Sequence, residues 1–340
     1  MKKLITFVVP SYNSEDYLNI CVDSLLKAGD RAEILIVNDG STDRTGEIGA
    51  AYERSFPGSV RLLNQENGGH GEGINHGLRE ATGTYFKVVD SDDWLDEAAL
   101  DKVLQTLERL EADGGVDLAV ANYVYEHTDG SKPEVVHYDN VFPEERVCGW
   151  EDTKNFRPWQ YLTMHSNIFR TEILRQVGKE LPKHIFYEDN LFAYRPLPLV
   201  KRICYINADL YRYLIGRADQ SVAEEILKKR CSHQILVSKE IFCAYRLEEI
   251  RKDRPRLAKY MYHEVVFMMT IACAFTRLNK TEEAEQMIRD MWAELALFDE
   301  KLVHRVRRES LAATMNLPGS VGRWIGNMGY RIAHKFISFN

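Results

Sequence analysis

Three features of the 340-residue sequence predict an α/β fold, in which a mostly parallel sheet is flanked by helices and followed by a helical C-terminal subdomain. Short apolar runs alternate with helically spaced segments through about the first hundred residues, as crossover-connected parallel strands require. Each of those runs stops in a polar turn. From Ser221 onward the spacing is helical almost throughout, with Pro255 and Pro318 as the strong breakers.

The elements follow in order. Residues 4–9 form a β-rich apolar run closed by Pro10, and residues 17–27 show helical spacing through Tyr17, Ile20, Cys21, Ser24 and Leu25. Residues 33–37 are a second strand ending in the turn NDGSTD, followed by a helix from Thr42 or Asp43 to about Arg54. A strand over 60–63 leads into a Gly-rich loop, a helix near 74–81 and the strand YFKVVD, which stops at the acidic cluster DSDD. Such sheets bind ligands beyond the carboxyl ends of their strands, and four polar turns (11–13, 38–43, 64–71, 90–93) gather at that edge. Residues 116–213 are mixed and read as an antiparallel extension carrying the second half of the site; helices are expected over 226–246 and 257–275. The expected division is a donor-binding half at 1–115, an acceptor-binding half at 116–220, and a helical subdomain at 221–340.

Composition narrows the function. With 45% hydrophobic and 28% charged residues the chain is an ordinary folded protein. A net charge of −7 argues against a nucleic-acid partner. The charge is uneven: residues 301–340 carry seven basic side chains against Glu309, so an anionic partner belongs there. Six scattered cysteines without a CxxC pair fit reduced thiols in a cytoplasmic protein. The N-terminal apolar run is too short for a signal peptide, and residues 265–275 are too short to span a bilayer.

Carboxylates at a strand end are not core residues, because unpaired buried charge is costly. Asp90 and Asp92, two apart on an extended backbone, could hold a hard divalent cation, Mn2+ or Mg2+. The alternative is an N-cap, with Asp92 or Asp93 opening a helix over 95–110. Asp39 in IVNDGSTD could accept the imide N–H of uracil or a ribose hydroxyl, or simply shape a turn. ENGGHGEGIN, residues 66–75, has four glycines and ends at a helix start, which suits close approach to a phosphate; it is neither a P-loop nor a dinucleotide fingerprint.

Taken jointly, VVPSYN, VNDGSTD, the Gly-rich turn with Asn75, the strand ending DSDD and the Glu188-Asp189 pair resemble the family 2 glycosyltransferases with the GT-A fold, across roughly residues 1–220. That resemblance implies an inverting, metal-dependent transfer of a sugar from a nucleotide sugar, of the UDP class, to a saccharide or lipid-linked acceptor. It implies that Pro10 and Tyr12 frame the nucleobase, Asp39 holds uracil or ribose, Asp90 and Asp92 touch ribose and metal, and Asp189 is the general base. The expected set is therefore Asp189 and Glu188 as catalytic, Asp92 and Asp90 on the metal, and Pro10, Tyr12, Asp39, Asn67, Gly68, Asn75, Asp90, Ser91 and Arg217 on the donor. For Glu188 and Asp189 the structural alternative is an exposed helix start.

The pattern also departs from the family. Ile74 stands where an Arg is common, leaving Lys87, Arg217 or His70 to take its place, and Asn38 replaces the first acid of a common DD pair. The QxxRW motif of processive synthases is absent, which favours one sugar per encounter. His165, Ser166 and Asn167 either line the acceptor pocket or serve the core, and Arg217, Gln220 and Ser221 either reach the diphosphate or bond at a domain junction. Two other classes compete: a non-catalytic accessory subunit, for which Asp39, DSDD and Glu188-Asp189 would be superfluous, and a sugar-nucleotide nucleotidyltransferase, which would need a basic Gly-rich loop where PSYNSED stands. Val321, Trp324, Ile325, Met328, Ile332 and Phe336 recur at helical spacing beside Arg323, Arg331 and Lys335, which suggests either peripheral attachment to the inner face of the cell membrane or packing on the core. A homo-oligomer is also compatible with the sequence.

Overall fold

The computed structural model describes residues 3–216, 224–310 and 313. Arg217, Gln220, Ser221 and the apolar stripe at 321–336 lie outside the described residues. Two compact units are present, one formed by residues 1–155 with 162–214, the other by 156–161 with the described residues from Ile215 on.

The first unit is organised by one sheet. Its strands are β1 (Ile5–Ser11), β2 (Ala32–Asp39), β3 (Val60–Gln65), β4 (Tyr85–Val88), β5 (Trp94–Leu95), β6 (Leu118–His127), β7 (Glu134–Val136), β8 (Val147–Cys148), β9 (Asn167–Arg170) and β10 (Ile203–Ile215). The order is β3-β2-β1-β4-β9-β6-β10-β5, with β7 on β6 and β8 on β10. Strands β3, β2, β1 and β4 are parallel, whereas β9 runs antiparallel to both β4 and β6. The mixed reading of 116–213 is thereby resolved into an antiparallel extension. Every residue of β1 is buried, as expected of a central strand covered on both faces.

Helices α1 (Leu18–Leu26), α2 (Thr45–Ser55), α3 (His70–Glu80), α4 (Glu97–Ala112), α5 (Thr171–Val177) and α6 (Asp189–Tyr194) complete this unit. α3 lies tightly on β1 at Gly77, where a Cβ would come within 2.3 Å of a Val8 methyl. It begins four residues before the expected start, inside the Gly-rich segment. α4 begins later than expected because Trp94 and Leu95 pair with Arg212 and Tyr211 of β10, a long-range contact that local spacing does not reveal. Its N-cap is Asp96, which accepts the Ala99 N–H at 3.0 Å, so neither Asp92 nor Asp93 is spent on capping.

The second unit contains α7 (Glu224–Lys229), α8 (Cys231–Cys243), α9 (Leu247–Asp253), α10 (Pro255–Arg277) and α11 (Glu282–Glu309). Pro255 does not break a helix but starts one, at a position where its missing N–H costs nothing. Residues 156–161 join this unit, with Phe156 stacked on Tyr260 at 4.2 Å between ring centroids. The α10 stripe Leu257, Met261, Val265, Met269, Ala272 and Cys273 is buried against its neighbours. All six cysteines are free thiols. No helix among the described residues is long and apolar enough to cross a membrane.

Glu264 of α10 is 3% exposed; the Tyr260 hydroxyl donates to one carboxylate oxygen, and the other has no hydrogen-bond partner. Burial pushes this carboxyl up to about 8. Its folded-state value lies above that of the unfolded chain, about 4.3, so its contribution to stability is complete below that pH and is lost as pH rises through about 8. Glu264→Gln, which cannot ionise, is expected to melt several degrees above wild type near pH 9 and to converge with it toward pH 5. Parallel melting curves across that range would contradict this assignment.

Candidate functional site

Parallel register brings the polar strand ends level. Ser11 pairs with Asn38, Asn38 with Asn64 and Asp39 with Gln65, while Val8 pairs with Val88, so the chain after β4 delivers Asp90 beside the end of β1. Tyr12, just past β1, is 54% exposed, whereas Pro10 is buried. Ser91 is tied to the loop after β1 by a 2.7 Å bond between its hydroxyl and that of Ser14.

Asp39 is the strut of the Gly-rich loop. Its Oδ1 accepts from Gln65 Nε2 and the Gly68 N–H, both at 2.7 Å, and its Oδ2 accepts from the Gly69 N–H at 2.8 Å. Asn67 adds a bond from Nδ2 to the Asp39 carbonyl at 2.8 Å. Gly69 has φ +86°, and a Cβ there would meet the His184 backbone N at 2.9 Å; the loop needs glycine at this point for both reasons.

The same loop starts α3 with His70, whose ring spans the two acidic motifs. Its Nδ1 lies 2.8 Å from Glu188 Oε1 and its Nε2 lies 2.9 Å from Asp90 Oδ1. Both partners are carboxylates, so only the doubly protonated ring satisfies the pair. Burial would lower the His70 pKa, but the bonds to Asp90 and Glu188 outweigh it and hold the imidazole well above its ordinary value. Burial likewise raises Asp90, yet His70 keeps it below the usual carboxylate range.

The surrounding carboxylates are under electrostatic stress. Burial, with Asp92 and Asp90 nearby, pushes Asp93 well up; its oxygens accept from the Tyr211 hydroxyl at 2.7 Å and the Leu214 N–H at 2.9 Å. Burial and the adjacent Glu188 push Asp189 up to about 7. Asp189 opens α6 with Glu188 at its N-cap, so the pair does start a helix, though neither side chain caps it. Tyr187, immediately before, is held at φ +70°.

His165 is buried and stacked on Tyr213 at 4.5 Å, with Tyr123 at 5.6 Å. Its Nε2 is 3.8 Å from Asp90 Oδ2, and burial lowers it to about 4. Lys87 of β4 is fully buried, its Nζ donating to the His165 carbonyl at 2.7 Å, and burial lowers it to about 7. Among the described residues, Asp90, Asp93 and His165 form a group whose ligand atoms lie within 4.8 Å of one another.

The oxygen donors of this edge suit a hard divalent cation, and the upward push on Asp93 and Asp189 is a strain that a dication would relieve. Asn75 clasps the Leu181 main chain with its side chain, Nδ2 donating to the carbonyl and Oδ1 accepting the N–H, both at 2.9 Å. His70, expected only as a possible replacement for the family Arg, bridges Asp90 and Glu188, and Asp93, expected only as a possible N-cap, is bonded by Tyr211 and Leu214.

The sheet, curled and flanked by helices, presents this edge of carboxylates, and residues 6–179 match the model of glycosyl transferase family 2. The chain belongs to that family. Over 227 residues it is 30% identical to glycosyltransferase GlyA of Streptococcus pneumoniae, a match covering 64% of this chain and 31% of GlyA. Glycosyltransferase GlyG of the same organism is 32% identical over 63% of this chain and 71% of its own length. Residues 1–349 of TarS from Staphylococcus aureus, in a crystal structure with UDP-GlcNAc, share the fold with a TM-score of 0.67 at 20% identity, covering 96% of this chain and 92% of that one.

Asn75→Ala removes both bonds to Leu181 at a position 6% exposed. It is expected to lower unfolding free energy in urea by about 1–3 kcal/mol, the cost of leaving buried polar groups unpaired. An unchanged urea midpoint would show that the clasp contributes nothing.

Proposed function

We propose that this glycosyltransferase moves a single sugar from a UDP-type nucleotide sugar to a hydroxyl of a saccharide or lipid-linked acceptor, with inversion at the anomeric carbon. The observation that carries the reading is the bridge through His70, which holds the donor-side acid Asp90 and the pair Glu188-Asp189 at one edge of the sheet. The UDP and UDP-GlcNAc complexes of TarS support the donor class.

Each residue then has a task. Asp39 accepts an N–H of the base or a ribose hydroxyl with oxygen capacity left over from its loop bonds, while Pro10 and Tyr12 flank the base at the end of β1. Asn67, Gly68 and Ser91 belong to the loops that shape the donor floor. Asp90 and Asp92 would hold a divalent cation, which when bound neutralises negative charge on the leaving diphosphate. Asp189 takes the proton of the acceptor hydroxyl as its oxygen bonds to the anomeric carbon and the bond to the diphosphate breaks. A carboxyl raised to about 7 is a stronger base than an ordinary aspartate, which suits this step near neutral pH. His70 supports it from the side, fixing Glu188 and so the start of α6.

The base must be unprotonated, so kcat is expected to rise with pH through about 7 and then level. Asp189→Asn should remove that limb and cut kcat by ~10²-fold or more while UDP affinity, read by calorimetry, stays within about twofold. A small loss of turnover with a large loss of UDP binding would move Asp189 to the donor site, and wild-type turnover would end its role as the base. Asp92→Asn, or excess chelator on wild type, should each abolish transfer without lowering the melting temperature; full activity in chelator would end the metal role.

A further inference from the structure

In the helical unit, α9, α10 and α11 line a cleft of about 490 Å³ that the transferase reading leaves unused. That size is ordinary for a small-ligand site. α9 lines it with Leu247, Glu248 and Arg251; α10 adds Pro255, Ala258, Lys259 and Tyr262, one helical face at spacings of three and four. The third wall begins at Asp299, whose backbone (φ −153°, ψ 91°) interrupts α11 and redirects the chain. Asp299 Oδ1 accepts the Leu302 N–H at 2.9 Å, restarting the helix so that Lys301, Leu302 and Arg305 face the cleft.

The charges do not cancel. Glu248 is paired with Arg251 at 2.7 Å, and Asp299 is occupied by its cap and by Arg246 at 3.9 Å. Lys301 and Arg305, one helical turn apart, have no carboxylate partner among the described residues. The Arg305 guanidinium lies 4.0 Å above the Tyr262 ring and also bonds to that side chain, which orders a planar, always-charged fork with five N–H donors in all. Leu247, Ala258 and Leu302, each less than a tenth exposed, form an apolar floor. A cationic fork over an apolar floor matches a phosphate that carries an aliphatic chain and mismatches a fully hydrated anion or a neutral sugar.

We propose that this cleft binds the phosphate group of an anionic phospholipid, with Arg305 and Lys301 on the phosphate oxygens and the first methylenes of the chain on Leu247, Ala258 and Leu302. Every protein in the following test retains the basic residues Arg323, Arg331 and Lys335.

Calorimetry on the full chain with dihexanoyl phosphatidic acid, below its micelle concentration, tests the proposal. Lys301→Gln/Arg305→Gln is expected to weaken binding at least tenfold; both side chains are exposed, so melting temperature should be unchanged. Tyr262→Leu keeps both charges but removes the stacking surface and should weaken binding several-fold. Inorganic phosphate and dihexanoyl phosphatidylcholine should each bind at least tenfold more weakly than the phosphatidic acid. Unaltered affinity in the double variant or in Tyr262→Leu overturns the site, and inorganic phosphate binding as tightly as the lipid overturns the phospholipid assignment in favour of a free phosphate.

Discussion

The cost of crowding carboxylates into a partly desolvated edge governs the sheet-containing unit of this molecule. Asp90, Asp93, Glu188 and Asp189 come from chain positions up to a hundred residues apart, and each is buried or half-buried. They are tolerated because the scaffold meets them individually: Tyr211 and the Leu214 amide on Asp93, His70 on Asp90 and Glu188, Asn190 on Asp189. The compensation is incomplete, as the raised Asp93 and Asp189 show. A site that retains this much unrelieved negative charge is poised for a cation and for a proton, which are the two things the proposed chemistry needs.

The second constraint is mechanical. The Gly-rich loop has no rigidity of its own, and Asp39 supplies it by accepting the Gly68 and Gly69 amides. From there the order propagates: the Gly68 carbonyl accepts the His184 N–H at 2.8 Å, Asn75 clasps Leu181, and the segment leading to Glu188-Asp189 is held against the start of α3. One acid at the end of β2 thereby sets the position of residues nearly 150 places downstream.

Low identity to TarS alongside a shared fold is consistent with this arrangement. Apolar strands buried on both faces tolerate many substitutions of similar volume, whereas the polar residues at the strand ends have little freedom. The helical unit is held mainly by apolar packing along α10, and the charged groups there are arranged around a cleft rather than a sheet edge.

The parallel half was legible from sequence because its signals are local. Strand-helix alternation, polar turns at strand ends and the DSDD and Glu188-Asp189 clusters depend on neighbours in the chain, and the joint pattern sufficed for the family. Local spacing could not reveal β5, since Trp94 and Leu95 are a strand only through their pairing with β10; that pairing moved the start of α4 and passed its cap to Asp96. Nor could it reveal that Asn75 would clasp Leu181, or that His70 would join two acids 98 residues apart in the chain. Composition and periodicity settle which residues are apolar and which turn the chain; which carboxylate meets which partner depends on distances that exist only after the strands have paired, because hydrogen bonds act over a few ångströms of space and take no account of separation along the sequence.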